Sequence, residues 1–200
     1  MATPARKEGS RERILEGAAE EFAGAGFAGA RIDRIARRTK LNVRMIYYHF
    51  GSKRGLYRAV LQSIYEEAVK ILDATENAKD PTVAALSMYI DMLISHPRFA
   101  DVLVRELLDG SKHLKALFKE RPDLFKRVHL HAREILEGAT QAGLLREQDS
   151  ALTVFTLTSC LCFLTAIRAS YGLFLDGRQP DNAAWKEHVF SLFFQGLRKA

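Results

Sequence analysis

Residues 31–53 read RIDRIARRTKLNVRMIYYHFGSK, and they constrain the fold more than any other stretch of this chain. Ile32, Ile35 and Ala36 repeat at the spacing of one face of a short helix. A polar break, Thr39-Lys40-Leu41-Asn42, follows. Val43, Ile46 and Phe50 then stand at i, i+3 and i+7, which predicts a second short helix with a single buried stripe. That stripe leaves Arg44, Met45, Tyr47, Tyr48 and His49 directed elsewhere. Two short helices joined by a tight turn form a helix-turn-helix, whose second helix is sized for the DNA major groove. The exposed set supplies a guanidinium for guanine, a thioether for a thymine methyl and hydroxyls for phosphates.

The charge distribution points the same way. Residues 1–58 hold 13 Lys and Arg against 6 Asp and Glu, whereas residues 59–200 hold 17 against 18. All the excess of the +6 chain therefore lies with the helix-turn-helix, which favours a polyanion partner at one end of the molecule over a merely solvated basic face. The only cysteines, Cys160 and Cys162, sit inside an apolar run and suit neither a disulfide framework nor a four-ligand zinc site. The N-terminal MATPARKEGSRER has no apolar core and is not expected to be a signal peptide. These features give the expectation of a cytoplasmic protein with no metal, no cofactor and no membrane.

Along the chain the pattern predicts helices throughout, an all-α fold. Residues 1–9 are polar and expected to be disordered, with Ser10 capping a first helix that buries Ile14, Leu15, Ala18, Ala19 and Phe22 and stops at Gly24 and Gly26. Gly51-Ser52 breaks the third helix, and Ser52 caps a fourth that runs to about residue 75 and links the two parts of the chain. Asp80-Pro81 is a cap followed by proline at the first helical position. Further helices are expected at about 81–95, 98–109, 112–119 and 122–142. Gly143 is a left-handed stop with Leu144-Leu145 beyond it. Asp149 or Ser150 caps a helix reaching Gly172, and a last helix spans about 182–198. Within the former, residues 151–167 carry no charge. They are at the lower edge of a membrane span and interrupted by Thr and Ser, so the preferred reading places one face in the subunit core and the other against a second subunit.

Residues 11–58 resemble the DNA-binding domain of the TetR family of transcriptional repressors. The resemblance is carried by Arg13-Ile14-Leu15, Ala18, Ala19, Phe22, Gly26-Phe27, Ile35-Ala36, Tyr47-Tyr48-His49-Phe50, Ser52-Lys53 and Leu56. It implies a homodimer reading a palindromic operator on double-stranded DNA, a C-terminal pocket for a small effector, and dimerisation through the last two long helices. It also implies Tyr47 and Lys53 as phosphate contacts, with His49 as a phosphate contact or a support of the recognition helix. Three positions depart from the family pattern. Ala30 stands where a capping Thr is usual, a loss of about 1 kcal/mol that the neighbouring Arg31 compensates with a phosphate contact. Lys40 stands where the turn usually has Gly, which predicts a left-handed non-glycine residue at a cost of roughly 1–2 kcal/mol. Arg44 and Met45 replace small residues early in the recognition helix.

The expected architecture is an N-terminal three-helix helix-turn-helix domain, residues 10–55, linked by the fourth helix to a C-terminal bundle, residues 56–200, that binds ligand and dimerises. The candidate DNA-contacting residues are Arg31, Asn42, Arg44, Met45, Tyr47, Tyr48, His49 and Lys53. The candidate ligand-binding residues are Met88, Met92, Phe99, Phe125, His129, Phe155, Ser159 and Phe163, with Arg133 and Tyr171 as further polar candidates. Taken singly each apolar one suits an ordinary core. Together they suit a pocket for a small hydrophobic or aromatic effector. Leu161, Phe190, Phe193 and Phe194 are the candidates for the dimer interface. An enzyme reading fails on chemistry: Asp33, His49 and Ser52 do not form a triad at helical spacing, and His129 and His131 point to different sides of one helix. A helix-turn-helix regulator without a small effector, or an activator in place of a repressor, is the alternative.

Overall fold

A computed structural model describes residues 4–75 and 78–198, with side chains from residue 9. Its elements are α1 Pro4–Gly29, α2 Ile32–Thr39, α3 Val43–Phe50, α4 Lys53–Thr75, α5 Pro81–Ser95, α6 Pro97–Leu108, α7 Lys112–Glu120, α8 Pro122–Gln141, α9 Ser150–Ala166, α10 Tyr171–Phe174 and α11 Asn182–Leu197. A single 3-10 turn, Arg168–Ser170, precedes α10. Among the described residues the only extended pairing is one isolated bridge between Leu145 and Arg198.

Most helix starts follow local chemistry. Ser52 Oγ accepts from the Gly55 amide at 3.0 Å, Asp80 from Val83 at 3.0 Å, Asp149 from Leu152 at 2.9 Å and Asp181 from Ala184 at 2.8 Å. The start of α1 is a correction. The helix begins at Pro4, so residues 4–9 are helical rather than disordered and Ser10 lies inside it; residues 1–3 lie outside the described part. Gly24 does not end α1 either. The break is at Gly26, whose φ of 66° and ψ of 177° are open to glycine alone, and one more helical turn follows it. Residues 76 and 77, between α4 and α5, also lie outside the described part.

The head is built on α1. Ile14, Ala18 and Phe22 of α1, Ile35 of α2, Ile46 of α3 and Leu56 of α4 are all buried in one core. Gly17 lets α1 and α2 meet closely: a Cβ there would lie 2.4 Å from Thr39 Cγ2. Polar ties lock the same helices. Arg13 donates to the Thr39 carbonyl at 2.6 Å, at the carbonyl end of α2, and Arg38 pairs with Glu20. The uncapped start of α2 has an unexpected partner, since buried Glu21 accepts from the Arg31 amide at 3.1 Å and faces Arg34 at 3.7 Å. A carboxylate from α1 thus takes over part of the capping that Ala30 cannot supply. Lys40 has φ 54° and ψ 35°, the left-handed turn residue expected from the sequence.

Beyond the head, α4 is the spine. It packs against α1 and α3 at one end and against α5, α7 and α8 along its length. α9 packs on α6 and α8, and α11 on α5. The join between head and bundle centres on Glu106 of α6, which is 1% exposed. It accepts from Tyr57 Oη of α4 at 3.1 Å and from the first amides of α7, His113 at 2.7 Å and Leu114 at 2.9 Å. The His113 ring stacks near Phe27 of α1 at 4.3 Å and against Tyr57 at 5.0 Å. The long apolar helix is shorter than its sequence suggested. α9 ends at Ala166, and the chain bends by 51° before α10. Among the described residues no single helix is long and apolar enough to cross a membrane.

Candidate nucleic-acid interface and ligand cavity

On α3, the N-terminal half and one flank face outward. Asn42 caps the helix by accepting from the Arg44 amide at 2.9 Å, which fixes where its first turn points. Arg44 is exposed, Tyr47 is 47% and Tyr48 65% exposed, and Met45 is half-buried between them and the core. Large aromatic rings left this open on a short helix suit contact with something outside the subunit. Arg31, Arg37, Lys40 and Arg44 are exposed and form no side-chain ion pair among the described residues, so their charge is available to a polyanion. His49 is half-buried, with its ring against Tyr48 and Phe50. Lys53 is more constrained than expected. Its ammonium donates to the Ala28 carbonyl at 3.0 Å and lies 5.1 Å from the Phe27 ring centroid, so it holds α4 to the end of α1. Arg37 and Lys40 were not singled out from the sequence, although the run Arg37-Arg38-Thr39-Lys40 beside the turn carried the signal.

In the bundle, α4, α5, α7, α8 and α9, with Leu103 and Leu107 of α6 and Leu197 of α11, surround a cavity of about 390 Å³. Of the eight expected ligand residues, Met92, Phe125, His129, Phe155 and Ser159 line it. Three do not. Met88 packs into the core, Phe99 stacks on His96 at 4.9 Å, and Phe163 is 53% exposed on the outer side of α9. The further polar candidates also lie elsewhere: Arg133 pairs with Glu137, and Tyr171 donates to the Leu164 carbonyl while accepting from Trp185. Phe118, weighed from the sequence with the other Phe and Met residues, lines the cavity as well, whereas Tyr65, Tyr89 and Cys162, which also line it, were missed. Tyr65 belongs to α4, which the sequence marked only as the link between the two parts of the chain.

Among the described residues no Asp, Glu, Lys or Arg lines the cavity. Tyr89 Oη and Cys162 Sγ satisfy each other at 3.2 Å, and burial pushes both groups toward their neutral forms. His129 is different. Its ring lies 4.4 Å from Phe125 and 6.1 Å from both Phe118 and Tyr65, and its buried Nε2 has no hydrogen-bond partner. Burial lowers its pKa, so the ring stays neutral. A buried acceptor or donor left unmatched costs about 1–3 kcal/mol, which marks it for explanation. The hydroxyl of Tyr65, raised in pKa by burial, forms no hydrogen bond among the described residues either.

The expected dimer residues divide. Leu161 is fully buried and lines the cavity, so it faces the subunit's own interior and not a partner; an evenly apolar helix gives no sequence signal of which side points inward. Phe190 and Phe194 stack at 5.3 Å and, with Phe193, are half-buried. The open apolar side chains are Leu152 at 61%, Phe155 at 63% and Phe163 at 53% on α9, and Leu192 at 62% on α11.

Comparison with known proteins decides the family. Residues 14–60 match the bacterial regulatory proteins of the tetR family, and residues 83–195 match the tetracyclin repressor-like C-terminal domain. The chain belongs to the TetR family. It is 31% identical to the HTH-type transcriptional repressor NicS of Pseudomonas putida, over 95% of this chain and 93% of that protein. It is 35% identical to the HTH-type transcriptional repressor SCO4008 of Streptomyces coelicolor, over 64% of this chain and 62% of that protein. In fold it resembles a TetR-like transcriptional regulator from Rhodococcus, with a TM-score of 0.66 and 20% identity over 98% of both chains. This TetR-family chain is a DNA-binding transcriptional regulator and not an enzyme. Its N-terminal helix-turn-helix and C-terminal helical domain are the two parts anticipated from the sequence.

Proposed function

We propose that this regulator is a repressor that binds a palindromic operator as a homodimer and is released by a small hydrophobic effector held in the bundle cavity. One observation carries the reading: α4 is a single unbroken helix that packs against α3 at one end and lines the cavity with Ile64, Tyr65, Ala68, Ile71 and Leu72 at the other. A ligand that changes the lie of α4 changes the separation of the two recognition helices. Those helices must meet major grooves roughly 34–36 Å apart, so a small change in separation lowers affinity. The names of the similar proteins from Pseudomonas and Streptomyces support repression over activation.

Arg31, Asn42, Arg44, Met45, Tyr47, Tyr48 and His49 are assigned to the DNA-facing surface, with Lys53 bracing it. The dimer is assigned to α9 and α11, through Leu152, Phe163 and Leu192 with the edges of Phe190, Phe193 and Phe194. Two helices from each subunit would form a four-helix interface with an apolar centre. Such a dimer works on the chromosome and therefore in the cytoplasm.

The test is operator affinity, measured with and without a hydrophobic ligand library, on the wild type and on a Ser159→Trp variant whose indole fills the cavity. Release by a ligand in the wild type and no response in the variant is the expected result. An unresponsive wild type leaves a regulator without a small effector. Light scattering tests the assembly: the wild type should be dimeric at micromolar concentration, and a folded Phe163→Asp, Leu192→Asp variant monomeric.

A further inference from the structure

The cavity's chemistry narrows the class of molecule it accepts. Among the described residues its wall is apolar except for a few hydroxyls, one thiol and one imidazole, and no charged side chain takes part in it. An anionic ligand would find no Lys or Arg, and a cationic one no Asp or Glu. The Cys162 thiol and the Tyr89 hydroxyl are already matched to each other. His129 Nε2 of α8 is buried with no hydrogen-bond partner among the described residues, and Tyr65 of α4 stands beside it, with ring centroids 6.1 Å apart and no hydrogen bond between them. Phe118 and Phe125 enclose this pair, so water has little hold there.

A neutral imidazole presents one nitrogen that donates and one that accepts, and a phenol does either. A group between them must therefore both give and receive a hydrogen bond. Among small uncharged functions a hydroxyl does this with a single atom. An ether or ketone only accepts, and a carboxylate only accepts while bringing a charge that nothing in the wall offsets. At an interior packing density of ~0.74 and about 20 Å³ per heavy atom, the cavity takes a body on the order of 15 heavy atoms.

Resting on the reading of this cavity as the effector site, we infer that the effector is an uncharged amphipathic alcohol or phenol, whose single hydroxyl sits between His129 Nε2 and Tyr65 Oη while its apolar body lies along Leu72, Leu86, Phe118 and Phe155. His129 and Tyr65 then select the ligand's polar end, and the rest of the cavity selects its size and greasiness.

The experiment compares three probes of one shape, 4-phenylphenol, biphenyl and 4-phenylbenzoate, by calorimetric titration of the full-length protein. 4-Phenylphenol should bind at least tenfold more tightly than biphenyl, with 4-phenylbenzoate the weakest. In Tyr65→Phe, which removes one oxygen, and in His129→Phe, the preference for the phenol over biphenyl should fall toward one while biphenyl affinity is kept. Equal binding of phenol and biphenyl to the wild type, a preference that survives in a folded Tyr65→Phe, or no binding of any probe would each overturn the assignment. Operator affinity, read in the same samples, separates this outcome from failure of the wider reading. If 4-phenylphenol binds in the predicted order and leaves operator affinity unchanged, the ligand class stands and the effector role falls.

Discussion

The head and the bundle are both helical, yet they treat apolar surface in opposite ways. In the head, α2 and α3 have eight residues each and one narrow stripe, which α1 and α4 bury at Ile35, Ala36 and Ile46 and cover in part at Ile32, Val43 and Phe50. Nearly every other side chain there is polar and is either tied to a neighbour, like Arg13 and Glu21, or open to solvent with its charge intact, like Arg37 and Arg44. In the bundle, α9 is apolar on all sides. One subunit cannot bury such a helix entirely, and the surplus goes to two places: inward to a cavity and outward to Leu152 and Phe163. Short helices with one stripe make a rigid reading head, whereas long helices with surplus apolar surface make room for ligands and partners.

The sharpest way to break this contrast is salt. Arg31, Arg37, Lys40 and Arg44 of each head, eight cations in a dimer, should make operator affinity fall about 10³- to 10⁵-fold between 50 and 200 mM salt, whereas ligand binding to the uncharged cavity should hardly move. Fluorescence anisotropy for DNA and calorimetry for ligand measure the two slopes, and similar slopes would erase the distinction. Next in size is Glu106→Ala, which strips the acceptor from Tyr57 and from two buried amides. A loss of about 3 kcal/mol in urea unfolding is expected. A loss near zero would mean that head and bundle merely touch.

A smaller effect comes from His129. Its pKa is lower folded than unfolded, so below the ordinary value of 6.5 the unfolded chain binds more protons. Stability should therefore rise with pH up to about 6.5 and level off above it. His129→Phe should flatten that part of the profile, as read by thermal melts between pH 5 and 8. Smallest is Lys40→Gly, which relieves a left-handed residue in the head's turn. It should stabilise by up to about 1 kcal/mol, after allowing for the extra freedom of glycine in the unfolded chain. No gain would mean the turn is already relaxed.

Legibility followed the range of the interaction. Ser52, Asp80 and Asp149 announce helices through bonds three residues long, and Lys40 announces its turn by standing between two short helices. The start of α1 was hidden because polar residues with high helix propensity look the same in a helix and in a tail. The end of α9 at Ala166 has no glycine or proline to mark it. The cavity was half legible: Phe and Met richness indicated it, but not that Tyr65 of the linking helix would line it while Phe99 and Phe163 would not. Leu161 shows the deepest limit, since a helix without a polar side has no readable inside. Glu21 and Glu106 were invisible for another reason. Each is an ordinary acidic residue until a distant amide finds it.

Glu106 has a thermal consequence as well. Because its carboxylate, Tyr57, His113 and Phe27 interlock four helices drawn from both the head and the bundle, neither part can open without unsealing buried polar groups of the other. The expected division between residues 55 and 56, within α4, then separates tasks and not cooperative units. On heating, the subunit should absorb heat in one peak. Amides of α1 and α6 near the joint should exchange with deuterium at a common, slow rate set by global opening, while those at the tip of α10 exchange by local fraying.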